Sequence, residues 1–420
     1  MNLTGKWQRS FFAIWTGQQI SLIGSVLGEF ALIWWVTKTT GSATILAMAT
    51  LLTLLPQVFL GPFTGALVDR WNRRRVMMVA DAFVAAASAA LAYLAWSQQL
   101  AVWHLYLIMV ARALGGIFHW PAMQASTALM VPKEHLPRVA GLNQTVRGAL
   151  NIAAPPLGAL LVGALPLHGI MLIDVLTALV AIVPLWFVQI PQPVRQPVAF
   201  GTRPTLLHDV KEGMRYVWHW PGAFALLVIA SLINLLVNPA FVLMPILVTK
   251  HFGGEAMQLG ALNSAWGVGI IVGGTLLSIW GGFRRRIVTS LTGIVGMGVG
   301  ILAVGLAPAT LFPMALVGLM LAGTMNPIAN GPIHAILQSV VAPEMQGRVF
   351  MLIGSMAAAM TPLSMVVAGP VADAVGVRVW YVVGGVGCLL MGLICFLIPT
   401  IMSLEEQRAA PATAPQLAVE

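Results

Sequence analysis

What most constrains this chain is how rarely charge interrupts its apolar runs. Charged residues make up 8% of it, against about 25% in an ordinary soluble domain. So little charge cannot cover a water-facing surface, and lipid must face most of the molecule. In lipid, only helices and closed barrels satisfy every backbone N–H and C=O. The apolar runs are long and continuous and lack the period-two alternation of barrel strands, which leaves helices. A spanning helix needs roughly 20 apolar residues. Twelve runs qualify, at about 10–36, 44–68, 76–97, 101–125, 138–165, 168–190, 221–248, 257–281, 286–306, 311–337, 347–372 and 377–401. The expected fold class is an all-α membrane protein with twelve transmembrane helices.

Lysine and arginine set the orientation, because loops on the cytoplasmic side hold the excess. With Lys6 and Arg9 inside, the same side collects Arg70, Arg73, Arg74, Arg75, Lys133, Arg138, Arg195, Arg203, Lys211, Arg215, Arg284, Arg285, Arg286, Arg348 and Arg408. The other side holds Lys38, Lys250 and Arg378, while Arg112 and Arg147 fall inside runs. Both termini are therefore expected in the cytoplasm. The net charge of +9 does not point to nucleic acid, because the basic residues are scattered through short loops instead of sharing one face. The first run is too long for a signal-peptide core and reads as a retained helix. Cys388 and Cys395 both lie in the last run, which suggests neither a disulfide framework nor a metal site.

The chain repeats. Glu134 and Arg138 recur as Glu344 and Arg348, 210 residues on, and the Arg73–Arg75 triplet recurs as Arg284–Arg286 at a shift of 211. The expected organisation is a six-helix bundle over 1–190, a proline-bearing cytoplasmic linker over 191–220, a second six-helix bundle over 221–402 and a disordered cytoplasmic tail over 403–420. Parallel six-helix repeats are one construction of secondary transporters.

Gly65-Ala-Leu-Val-Asp69-Arg70-Trp-Asn72-Arg73-Arg74-Arg75 lies between the second and third runs. It resembles the signature loop of the major facilitator superfamily, with Asn72 where the family usually has glycine. TGQQISLIGS, TGSA, GPFTGALVDRWNRRRVM, FHWPAMQASTALMVP and GRVFMLIGS resemble the bacterial macrolide-efflux proteins of that superfamily over nearly the whole chain. Arg112 with Gly115 and Gly116 is similar to the family's arginine-glycine motif. Ala154-Pro155-Pro156-Leu157-Gly158 is a degraded form of its antiporter motif, with Ala-Pro in place of Gly-Pro. The resemblance implies two pseudo-symmetric bundles, a monomer and proton-coupled export of an amphiphilic drug from a bacterial inner membrane. It also implies a charged gating latch built from Gly65, Asp69, Arg70, Arg73 and Arg74, to which Asp81 is expected to belong. Siderophore exporters are more distant relatives, so an endogenous metabolite is an alternative cargo. A non-transporting receptor or scaffold of the same fold is an alternative of another class.

Polar residues are costly in lipid and usually face a cavity. At helical spacing they form stripes: Gln18, Ser21, Ser25 and Glu29 on the first run; Arg112 and His119 on the fourth; Ser231, Asn234 and Asn238 on the seventh; Asn326, Asn330, His334 and Gln338 on the tenth. Gln18, Ser25, Glu29, Arg112, His119, Asn234, Asn238, Asn326, Asn330 and His334 are the candidate substrate-binding residues. Asn234 and Asn238 match Ser25 and Glu29 at a shift of 209, so the first half alone carries the carboxylate. An isolated carboxylate in low dielectric favours its neutral form. Glu29 is thus expected to take a proton from outside and release it inside, and when charged to attract a cationic substrate. Arg112 stays charged and is expected to pair with Glu29. Asp174 is a second proton candidate, or a carboxylate held by a helix N-terminus. His119 and His334 could titrate, though a neutral hydrogen-bonded state is expected for each; Arg147 is expected to snorkel, and Trp34 and Trp35 to anchor at the interface. No phosphate loop, enzyme motif or metal-spaced cluster occurs, so neither a cofactor nor ATP is expected.

Overall fold

The computed structural model describes residues 6–192, 214, 215, 218, 220–341 and 343–405. Most of the expected linker and of the expected tail lies outside the described residues. Among the described residues there are no strands, and twelve helices are long and apolar enough to cross a membrane.

In chain order these are α1 (Lys6–Thr40), α2 (Ala43–Arg70), α3 (Arg73–Trp96), α4 (Val102–Met130), α5 (Leu136–Ala164), α6 (Leu167–Phe187), α7 (Pro221–Val242), α8 (Ala256–Trp280), α9 (Arg286–Leu306), α10 (Phe312–Val340), α11 (Pro343–Val375) and α12 (Arg378–Leu397). The twelve apolar runs correspond to them one for one, with ends displaced by a few residues. One difference is internal. The run at 221–248 reads as a single helix, but α7 stops at Val242 and gives way to a short turn at Met244–Ile246 and a π-helical turn at Leu247–His251. Pro245 accounts for the break: it has no N–H to donate, and its ring crowds the carbonyl four residues back.

The chain divides into two compact units, one of Met1–Phe200 with Val242–Ser264, the other of Gly201–Phe241 with Ala265–Glu420. The helix partnerships of the two halves match. In the first, α3 packs on α4 and α6; in the second, α9 packs on α10 and α12, the same pairs six helices later. Likewise α1 lies along α6, and α7 meets α12, where Tyr381 Oη donates to Ala240 O at 2.6 Å.

Apolar side chains gain little from leaving lipid for protein, so close backbone approach has to hold such helices together. Glycine permits it. Gly17, Gly24 and Gly28 share one face of α1 and turn it to α6, where they meet Val180 O, Thr177 and Met171. α9 is the most enclosed of the twelve. Gly293 and Gly300 face α10, while Gly298 and Gly305 face α12. A Cβ at Gly298 would lie 2.8 Å from Leu389 N and 2.9 Å from Gly385 O, both backbone atoms that cannot step aside. Gly298→Leu should therefore destabilise the protein by about 1–3 kcal/mol or more, as overpacking does. Gly274→Leu on α8, where a Cβ meets nothing within 4 Å, should be tolerated. Thermal melting of the purified variants checks the contrast.

Candidate functional site

The first unit encloses a cavity of about 310 Å³ lined from α1, α2, α3, α4 and α6. The α1 stripe forms one wall: Gln18, Ser21, Ser25 and Glu29 all face it, as do Arg112 and His119 from α4. The stripe sits beside the glycine face of α1, so the contact that fastens α1 to α6 also aims the polar side chains inward.

Two polar centres occupy this wall. At the first, the Arg112 guanidinium is ion-paired with the Asp174 carboxylate and also donates to Ser88 Oγ. Asp174 is 1% exposed and accepts hydrogen bonds from Ser88 Oγ at 2.7 Å and Ser25 Oγ at 2.9 Å. Arg112 also reaches Ser25 O at 3.4 Å. The pairing of Arg112 with Glu29 expected from the sequence is therefore corrected: Asp174 answers the guanidinium. The reading of Asp174 as a carboxylate at a helix N-terminus is also corrected. It lies two turns inside α6, whose first turn has no acidic residue. Glu29 is open to the cavity, within electrostatic reach of Arg112, and has no hydrogen-bond or ion-pair partner among the described residues.

At the second centre, Gln18 Nε2 donates to Asp81 Oδ2 at 2.8 Å, and His119 Nε2 lies 2.7 Å from Gln18 Oε1 and 3.3 Å from Asp81 Oδ1. Asp81 is buried here, away from the arginine loop, so its assignment to the latch is corrected. Ser88 is the residue the sequence reading missed. It lies seven residues beyond Asp81 on α3, the same two-turn spacing that links Arg112 to His119, but within an alanine-rich stretch.

The second unit holds its own cavity of about 330 Å³, lined by Asn234, Asn238, Asn326 and Asn330 among apolar side chains, with Phe241 and Trp266 packed edge to face at 4.6 Å. Asn238 Nδ2 donates to Thr361 Oγ1 at 2.7 Å, while Asn234 and Asn330 donate to carbonyls one turn back on their own helices. His334 does not join this wall; it stacks on Phe350 at 5.9 Å. Arg147 does not snorkel freely, since its guanidinium lies 3.7 Å over the Trp120 ring. Trp34 is buried, and Lys38 sits over its ring at 5.7 Å, so it is not an interface anchor.

The sequence matches the Major Facilitator Superfamily over residues 14–364. The chain belongs to that superfamily. It is 33% identical to Macrolide efflux protein A of Streptococcus pyogenes over 410 residues, covering 96% of this chain and 100% of that one. It is 27% identical to Multidrug efflux pump Tap of Mycolicibacterium fortuitum, over 89% of this chain and 91% of that one. Among solved structures, a bacterial homologue of the iron transporter ferroportin in its inward-facing state superposes with a TM-score of 0.68 at 15% identity, covering 95% of this chain and 99% of that one. The protein is thus a transporter and a multi-pass bacterial membrane protein.

The superfamily's signature loop has a local structural logic here. Asn72 is the N-cap of α3, in extended backbone, and its side chain accepts from Arg75 N at 3.2 Å. Asparagine in the usual glycine position is therefore a helix cap, with no need of a left-handed backbone. Arg74 donates to Leu185 O and Trp186 O, the unsatisfied carbonyls at the end of α6. Arg73 is buried and its backbone N–H donates to Gln192 Oε1 at 3.3 Å, while Arg70 is exposed. The side chain of Asp69 lies outside the described residues, as does that of Glu344. A Cβ at Gly65 would meet nothing within 4 Å among the described residues.

Removing one partner of the buried pair leaves the other charge unanswered, at a cost of about 3–5 kcal/mol. Arg112→Gln and Asp174→Asn should each lower the melting temperature and the yield of folded protein. The double variant, with neutral hydrogen-bonding groups on both sides, should recover most of the loss in a double-mutant cycle.

Proposed function

We propose that this transporter exports an amphiphilic, cationic drug-like molecule from the bacterial cell in exchange for protons, with Glu29 as the group for which proton and substrate compete. The observation that carries the reading is the division of labour in the first cavity. Arg112 is neutralised by Asp174, which leaves Glu29 as a carboxylate open to the cavity with no hydrogen-bond or ion-pair partner among the described residues. A carboxyl group placed there accepts a proton in its neutral form and attracts a cation in its ionised form. Loading one ligand expels the other, which is the condition for antiport. The relatives named for macrolide and multidrug efflux support the cargo class and the outward direction.

An anionic metabolite is the weaker alternative, because it would need an uncommitted cation in the site. Arg112 is ion-paired and Arg147 is engaged with Trp120. The excess of lysine and arginine on one set of loops supports placing both termini in the cytoplasm. The matched helix partnerships support two six-helix halves, and we take the working unit to be a monomer. The asparagines that line the second unit's cavity are neutral hydrogen-bonding groups and bring no charge to it.

Glu29→Gln should abolish proton-coupled efflux while leaving membrane expression intact. Glu29→Asp should retain part of it. The measurements are drug susceptibility in an exporter-deficient host and substrate-evoked proton flux in vesicles. Normal resistance in a well-expressed Glu29→Gln strain would sink the assignment.

A further inference from the structure

The centre formed by Gln18, Asp81 and His119 plays no part in the function argued so far. Its hydrogen-bond directions leave little freedom. Gln18 Oε1 can only accept, so His119 Nε2, 2.7 Å away, carries the hydrogen. Gln18 Nε2 is spent on Asp81 Oδ2, and Asp81 Oδ1 faces the same His119 nitrogen at 3.3 Å. The position left for an added proton is His119 Nδ1, which has no partner among the described residues. All three residues line the cavity, with the His119 side chain 22% exposed against 9% for that of Asp81. The imidazole is thus the more open of the two titratable groups to a proton from the cavity.

The centre is separate from Glu29. Gln18 and Glu29 stand eleven residues apart on α1, about 16 Å along the helix at 1.5 Å per residue. The Arg112–Asp174 pair lies between them, with Asp174 bonded to Ser25. Besides the centre itself, the charged and titratable groups of the surrounding elements are Lys6, Arg9, Glu29 and Lys38 on α1, Asp69 and Arg70 on α2, Arg73, Arg74, Arg75 and Tyr93 on α3, His104, Tyr106 and Arg112 on α4, Arg138 and Arg147 on α5, and His168 and Asp174 on α6. Of these, Glu29 and Arg112 line the cavity with the centre, and Asp174 is consumed by Arg112.

We propose that Gln18, Asp81 and His119 form a second proton-binding site of the first cavity, loaded and emptied through His119 and independent of Glu29. The proton adds from cavity water to Nδ1, forming one N–H bond, and leaves to water by the same route. When it is bound, an imidazolium faces the Asp81 carboxylate; when it has left, Gln18 Nε2 still donates to that carboxylate and the neutral imidazole donates to Gln18 Oε1. Gln18 is a positioning residue that fixes the tautomer. The inference rests on the antiport reading, and adds that more than one proton is exchanged per substrate.

The test has two arms. In purified protein labelled with ¹⁵N-histidine, the His119 resonance, identified by its loss in His119→Gln, should move across the pH range in which the protein stays folded. Asp81→Asn should lower its proton affinity by about tenfold, one unit of pH, and Glu29→Gln should change it far less. A resonance that stays still in that range, or moves identically in Asp81→Asn, overturns the site. In proteoliposomes, His119→Gln, whose amide N–H can still donate to Gln18 and Asp81, should lower the protons exchanged per substrate and flatten the pH profile of transport. An unchanged ratio and profile overturn the proposal. If the wild-type protein exchanges no protons at all, the antiport reading fails, while the resonance still decides whether the site binds a proton.

Discussion

A guanidinium inside a helical bundle cannot give up its charge, so the structure around it must supply the opposite one. Arg112 obtains it from Asp174, and the rest of the first cavity follows from that choice. Ser88 and Ser25 each donate a further hydrogen bond to Asp174, which ties α3, α4, α1 and α6 to a single buried point. Because Arg112 is answered there, Glu29 is left facing the cavity uncommitted, and Asp81 needs a different neighbourhood, which Gln18 and His119 provide. One ion pair thus divides three acidic side chains into one structural group and two that remain chemically available.

The second half is organised without such an anchor. Its cavity is lined by amides, and its cohesion comes from glycine-mediated backbone contacts around α9. The same helix pairs meet in both halves, so the scaffold has been kept while its chemistry has diverged. Hydrogen-bonded asparagine satisfies its polar atoms locally, through Thr361 or through carbonyls of its own helix. A wall of this kind needs no counter-charge and leaves the apolar surface around it undisturbed.

The membrane helices were legible because lipid forces the apolar run and the helix to coincide. The α1 stripe was legible because spacing on a single helix is a local property: Gln18, Ser21, Ser25 and Glu29 do share the cavity wall. Partnerships were not legible. Ser25 and Asp174 are 149 residues apart, and nothing in the spacing of either helix says that α6, and not α1, answers Arg112. Asp81 lies close enough in sequence to the arginine loop to be read with it, although two turns of α3 carry it into a different environment. Ser88 was overlooked because a serine among alanines looks like packing until its carboxylate partner is known. His334 continues the spacing of Asn326 and Asn330, but its ring finds Phe350 instead of the cavity. Short-range pattern places a residue on a face; which group meets it there depends on contacts between distant segments.

The glycine face of α1 has a mechanical consequence. Gly17 brings α1 against the backbone of α6 at Val180 and Ala181, while Gly24 and Gly28 make room for the side chains of Thr177 and Met171. A side chain at Gly24 would collide with Thr177, so the register of α1 on α6 depends on that glycine. Gly28 sets the spacing beside Glu29 in the same way, where a Cβ would lie 3.1 Å from Met171 Cε and 3.8 Å from the Asp174 side chain. α1 touches α2 and α4 far more lightly. Widening the first cavity on the α4 side would have to stretch the links that cross this lightly packed seam, Gln18 to His119 and Asp174 to Arg112.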